Sequence, residues 1–82
     1  MTQRLTDEEL VDLMQDARRA CPIGSVHRHR ASGATYGVIL VALRESDLEP
    51  LVIYMKIGTA TPFARPFEEF RDQFEFVREG ME

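Results

Sequence analysis

The chain has 82 residues, of which 44% are hydrophobic and 29% charged, a composition typical of one compact soluble domain. No apolar run approaches the ~20 residues that span a bilayer, and the first residues lack a signal-peptide pattern, so we expect a cytoplasmic protein without a membrane partner. The single cysteine, Cys21, excludes an intrachain disulfide and a cysteine-based zinc site within one chain.

The net charge of −4 argues against a general nucleic-acid-binding protein, but the charges are unevenly distributed. Residues 17–44 contain five arginines and no acidic residue. Two interpretations stay open. Either folding places these arginines beside carboxylates, or the segment forms a local site for an anionic or carbonyl-bearing ligand.

The first predicted element is an amphipathic helix within residues 6–21. Thr6 is a favourable N-cap, and Glu9 lies three residues later, as a capping box requires. Pro22 ends the helix because the residue before a proline is disfavoured in helical conformation. The apolar positions recur at helical spacing and form one stripe: Leu10, Leu13, Met14, Ala17 and Cys21.

Five short strands are predicted after the helix, because the pattern changes to runs rich in Val, Ile, Leu and Tyr between turn residues. A single helical turn over 66–70 begins with proline and precedes the last strand. The predicted strands cover residues 26–30, 35–44, 50–57, 63–65 and 74–78. With no second helix long enough for crossovers, they favour a mainly β (α+β) fold, a small five-stranded antiparallel barrel.

Both long strands are apolar on both faces, whereas the strands of a sheet with one solvent-exposed face alternate apolar and polar residues. Strict alternation places Tyr36, Val38 and Leu40 on one face, and Ile39 and Val41 on the other. We therefore expect one face to fill the inside of a curled sheet. The N-terminal helix is expected to cover the other face.

The segment 26–30 contains both histidines, His27 and His29, which point the same way on a strand, while Arg28 points the other way. Two imidazoles could contribute to a metal site, but no further ligands are identifiable, so we expect neither a metal nor a cofactor. Cys21 follows a helix C-terminus, where the dipole disfavours a thiolate. No catalytic set is recognisable, and the protein is more simply explained as a non-enzyme.

All five phenylalanines lie within residues 63–76. Their spacing predicts that most are core residues, although such a cluster can also be a stacking platform for bases. Arg65 is held in extended geometry by Pro66 and has aromatic residues on each side. It either pairs with a buried carboxylate such as Glu49 or binds a ligand.

Several motifs follow one another in order over roughly residues 23–78: Gly24-x-x-His27-Arg28-His29, Gly33-x-x-Tyr36-x-Val38, Ala42, Ser46-x-x-Glu49-Pro50-Leu51-Val52-Ile53-Tyr54 and Arg65-Pro66-x-x-x-Phe70. Together they resemble a small bacterial family catalogued as domain of unknown function 1653. The resemblance implies an SH3-like β-barrel and no established reaction. It leaves the N-terminal helix outside the family's core.

Three functional hypotheses follow from these observations. The first is a non-enzymatic binding module for nucleic acid or a peptide, with the ligand site formed by His27, Arg28, His29, Tyr36, Glu49, Tyr54 and Arg65. The second is an accessory subunit that assembles through Leu10, Leu13 and Met14 of the helix. The third is a small enzyme in which His27 or His29 acts as acid or base and Glu49 orients it. The sequence does not determine the oligomeric state.

Overall fold

The computed structural model describes residues 5–80 and contains two helices and five strands. The N-terminal helix and all five predicted strands are confirmed, with ends that differ by at most one residue from the prediction. No helix in residues 5–80 is both long and apolar enough to cross a membrane. In chain order the elements are α1 (Asp7–Ala20), β1 (Val26–His29), β2 (Thr35–Leu43), β3 (Pro50–Lys56), β4 (Pro62–Pro66), α2 (Phe67–Gln73) and β5 (Phe74–Arg78).

Helix α1 begins and ends at the residues that its sequence signals indicate. The Thr6 hydroxyl accepts a hydrogen bond from the backbone N–H of Glu9 (3.1 Å), and the Glu9 carboxylate accepts one from the backbone N–H of Thr6 (2.9 Å). The chain then turns into β1 at Gly24, whose φ of +86° is a conformation that favours glycine. Its N–H donates to the Val38 carbonyl (2.8 Å), which fixes the start of the sheet.

The five strands form one antiparallel sheet in the order β4-β3-β2-β1-β5. The first four strands form a meander, and β5 returns to pair with β1. Within residues 5–80 no ladder joins β4 to β5, so the sheet is open between these two edges. The closed SH3-like barrel expected from the sequence therefore stays a prediction, while the α+β class with a five-stranded antiparallel sheet is confirmed.

A β-bulge in β2 changes which residues share a face. Val38 pairs with Tyr54 and Val41 with Val52, whereas Leu40 pairs with Ile53. Paired residues lie on the same face, so Val38 and Val41 share a face with Tyr54, and Leu40 lies on the opposite face. The strict alternation expected from the sequence is wrong beyond Val38, because the extra bulge residue shifts it by one position.

Both helices pack on the same face of the sheet, here called the inner face. Ala17 of α1 and Phe70 of α2 belong to one buried cluster with Val38, Val41 and Val52. The expectation that α1 covers the second face is therefore wrong, because the bulge concentrates the buried valines on the inner face. The outer face carries a half-buried to exposed apolar set: Leu40, Leu51, Ile53 and Met55.

Helix α2 is longer than the single turn predicted over 66–70. It has seven residues, and Pro66 is its N-cap rather than its first helical residue. Phe67 and Phe70 are buried under the inner face, and Phe74 continues from the helix directly into β5. The helix thus covers part of the inner face and leaves the rest open.

Candidate functional site

The strand register brings six side chains together on the uncovered part of the inner face. Tyr54 pairs with Phe63, Val52 with Arg65, and His29 with Phe74. Since alternate residues of a strand share a face, these side chains converge on one hollow of about 160 Å³. We call it the aromatic cleft; its lining residues are His29, Tyr36, Tyr54, Phe63, Arg65 and Phe74.

Tyr54 is the centre of the ring packing in the aromatic cleft. Its ring centroid lies 5.4 Å from that of Tyr36, 5.3 Å from Phe74 and 5.9 Å from Phe63. Beneath the cleft, Phe70 of α2 stacks on Phe74 with centroids 4.2 Å apart and planes 7° from parallel. Because each ring rests on another, the floor of the cleft is preorganised.

Arg65 is the cation of the aromatic cleft and is held from three sides. Its Nε donates to the Tyr54 hydroxyl (3.1 Å), and its Nη1 lies 3.5 Å from the Glu69 carboxylate. The guanidinium carbon lies 5.6 Å from the centroid of the Phe74 ring. The sequence leaves open whether Arg65 pairs with a carboxylate such as Glu49; the carboxylate in contact is that of Glu69, in the first turn of α2.

The two histidines share the inner face, as their spacing predicts, but differ in surroundings. His29 lines the cleft, and its Nδ1 lies 3.0 Å from the Ser32 hydroxyl. His27 is 4% exposed and lies edge-on to Phe70 and Phe76. It lines a second hollow, between α1, α2 and β5, rather than the aromatic cleft.

Ser25 determines the tautomer of His27. The Ser25 hydroxyl has one hydrogen and donates it to the Pro22 carbonyl (2.7 Å), so its 3.0 Å contact with His27 Nε2 is a bond that it accepts. Nε2 therefore carries the proton of a neutral imidazole. Burial lowers the pKa of His27 because the charged form loses solvation.

Two other residues predicted for the site lie elsewhere. Arg28 points to the outer face, where its Nη1 contacts the Glu75 carboxylate at 2.5 Å. Glu49 lies in the loop before β3, five residues from Tyr54 and so about 16 Å away along the strand. The structure therefore brings together His29, Tyr36, Tyr54 and Arg65. Within residues 5–80, the Glu49 side chain forms no hydrogen bond or ion pair with either histidine.

Phe63 and Phe74 line the cleft, although the spacing of the phenylalanines predicts that most of them are core residues. Phe63 could have been identified, because it lies two residues before Arg65 on the same strand and therefore on the same face. Phe74 could not, since its position depends on the pairing of β5 with β1, which are distant in sequence.

Cys21 lies outside the aromatic cleft and lines the hollow that His27 also lines. Burial raises the pKa of the Cys21 thiol to about 11, which disfavours the thiolate. Within residues 5–80 no three His, Cys, Asp or Glu side chains are grouped closely enough to hold a metal ion. The cleft combines aromatic surface, one fixed cation and polar ring atoms, and this combination is suited to binding.

Comparison of the chain with family models, with curated proteins and with solved structures finds no match.

Proposed function

We propose that this protein is a small non-enzymatic binding module that takes a segment of peptide in the aromatic cleft. The observation that carries the proposal is the cleft itself, an open hollow with a fixed floor of four rings and one arginine at its wall. Recognition grooves for peptides commonly combine aromatic walls with a few polar groups that fix orientation. That the protein is bacterial and cytoplasmic stays a prediction of the sequence.

The proposed module is of the SH3-like barrel type. The supporting observations are the four-stranded meander, the return of the fifth strand to the first, and the short helix between the last two strands. This connectivity allows a strongly curled sheet to approach closure around the inner face. Membership of the family catalogued as domain of unknown function 1653 is proposed on the sequence motifs alone.

The charge distribution favours a peptide over a nucleic acid. Five arginines outside the aromatic cleft lie within 4.0 Å of carboxylates, so among the described residues little positive charge besides that of Arg65 is available for a phosphate backbone. The chain as a whole carries a net charge of −4. Nucleic-acid affinity depends chiefly on cations that neutralise phosphates, and this surface offers few of them.

Amide ¹⁵N–¹H correlation spectra test this proposal. The labelled protein is titrated with blocked peptides of mixed sequence and, separately, with a short oligo-uridine at about 50 and about 200 mM salt. We expect peptide-dependent shifts at the six cleft residues and no salt-sensitive shifts with the RNA. Shifts caused by the RNA alone, weakening steeply with salt, would instead assign the cleft to nucleic acid.

A second candidate function is assembly through α1. Leu13, which the apolar stripe predicts to be buried, is 43% exposed, and Leu10, three residues earlier on the same helix face, is half-buried. An exposed leucine beside a half-buried one on the same helix face fits an accessory subunit that packs this helix against another chain. Sedimentation at two protein concentrations tests whether α1 packs against a second copy of this chain, since a monomer at the higher concentration excludes self-assembly.

A further inference from the structure

The Arg65 guanidinium is fixed in place but retains unused hydrogen-bonding capacity. Nε is bound to Tyr54, and Nη1 has only a long contact with Glu69, whose side chain is 61% exposed. Nη2 has no hydrogen-bond partner within residues 5–80. A guanidinium that is immobilised in this way can bind a planar carboxylate with little loss of conformational freedom.

Further polar atoms surround the same opening. No hydrogen bond of the Tyr36 hydroxyl or of the His29 Nε2 atom is found within the described part of the chain. Both side chains line the cleft together with Arg65. A ligand in the cleft therefore lies beside three side chains that can form hydrogen bonds, of which Arg65 is the charged one.

The apolar floor and the cation lie within the reach of a single residue. Arg65 Nε is 3.1 Å from the hydroxyl of Tyr54, whose ring centroid lies 5.9 Å from that of Phe63, and the hollow measures about 160 Å³, which is room for about one side chain. In the C-terminal residue of a chain, the side chain and the carboxylate leave the same Cα. An internal acidic residue instead has its apolar neighbours on the opposite side of an extended segment.

Building on the proposed function, we propose that the aromatic cleft recognises the C-terminus of a protein whose last residue is apolar. The terminal carboxylate binds the Arg65 guanidinium, and the last side chain packs on the rings of Phe63 and Tyr54. A cationic ligand does not suit this cleft, because Arg65 already occupies the face of Phe74 and would repel it.

Four blocked probes test this inference by ¹⁵N–¹H titration. They are acetyl-Gly-Gly-Leu as the free acid, the same peptide as its carboxamide, acetyl-Gly-Asp-Leu carboxamide, and acetyl-leucine. We expect the free-acid tripeptide to shift the cleft residues and to bind about tenfold more tightly than either carboxamide. The Gly-Gly-Leu carboxamide has no carboxylate for a charge-assisted hydrogen bond, and the Asp carboxylate of the other carboxamide lies on the opposite side of the segment from its leucine. Acetyl-leucine should bind more weakly than the tripeptide acid.

Two arginines provide matched variants. Arg65→Gln should remove the preference for the free acid, and Arg65→Lys should restore part of it. Arg71 also lies over a phenylalanine, with its guanidinium carbon 5.2 Å from the Phe67 centroid, and pairs with Glu68 of α2, but it is outside the cleft. Arg71→Gln should therefore bind like the wild type.

The outcomes separate this inference from the proposed function. Equal binding of the acid and the carboxamide at the cleft, unchanged in Arg65→Gln, overturns C-terminal recognition and leaves a peptide module standing. Equal binding of acetyl-leucine and the tripeptide acid identifies a small organic acid as the ligand and overturns both. If no probe shifts the cleft residues and the oligo-uridine does, both proposals fail.

Discussion

The inner face of the sheet has two regions that contain similar residue types, but one region is buried and the other is open. In the covered region, Val38 and Val52 of the sheet are buried together with Phe70 of α2, and none of these side chains has a polar atom. In the aromatic cleft, no helix lies over the sheet, and the rings stand beside an arginine and a histidine. The difference shows that apolar character alone does not identify core: Phe63 is 48% exposed on the same face where Phe70 is 1% exposed.

The largest expected effect separates these two regions by stability. Phe70→Ala removes a ring that stacks on Phe74 and contacts His27 and Tyr54, so we expect a loss of about 3–5 kcal/mol in the free energy of unfolding. Urea unfolding followed by circular dichroism measures it. A loss below about 1 kcal/mol would mean that the covered region is not the structural core.

Much of this fold is predictable from local signals. The capping box at Thr6 and Glu9 and the stop at Pro22 define α1 without reference to the rest of the chain. The β2 bulge is different, because one extra residue leaves no mark in composition, and only the partner strand reveals that Val41 has changed face. The side on which α1 packs was missed for this reason.

The candidate site is predictable only in part for a similar physical reason. His29, Tyr36, Tyr54 and Arg65 meet because the two hairpins align them. Glu49 was grouped with them as a motif residue, but it lies at the other end of β3. Two residues that are close in one sequence motif can lie at opposite ends of a strand, as Glu49 and Tyr54 do.

A second test concerns how tightly the covered region is sealed at Cys21. The thiol is 3% exposed, and its pKa of about 11 leaves little thiolate at neutral pH. We therefore expect a thiol reagent such as iodoacetamide to react far more slowly with the folded protein than with the chain in concentrated guanidinium chloride. Mass spectrometry of timed samples measures both rates. Similar rates would show that the end of α1 opens readily.

A third test uses the neutral, buried His27 at the boundary between the regions. Its pKa in the folded protein is below the ordinary 6.5, so the unfolded chain takes up this proton first as the pH falls. The contribution to stability is complete above pH 6.5 and is lost as the pH falls towards the folded pKa. Unfolding at about pH 7.5 and about pH 5.5 should show the decrease.

The variant His27→Asn is the control for that pH dependence. It removes the imidazole and should make the free energy of unfolding less dependent on pH over the same interval. An equally steep dependence in the variant would assign the titration to another group.

The smallest expected effect on stability is that of replacing Arg65 or Arg71 by glutamine. Arg65 and Arg71 each pair with a solvent-exposed glutamate of α2, and such pairs contribute about 0–1 kcal/mol. Arg65→Gln and Arg71→Gln should therefore unfold at nearly the wild-type urea concentration. A large loss in Arg65→Gln alone would make its bond to Tyr54 structural and weaken the case for a ligand site.

The most direct test of the aromatic cleft as a binding site is a titration of Phe63→Ala with the free-acid tripeptide acetyl-Gly-Gly-Leu. The side chain is half exposed and contacts Tyr54, so its removal should cost only about 1 kcal/mol of stability or less. We predict a folded variant whose peptide affinity is clearly lower than that of the wild type. Unchanged affinity in a folded Phe63→Ala protein would contradict the assignment of the cleft as the ligand site.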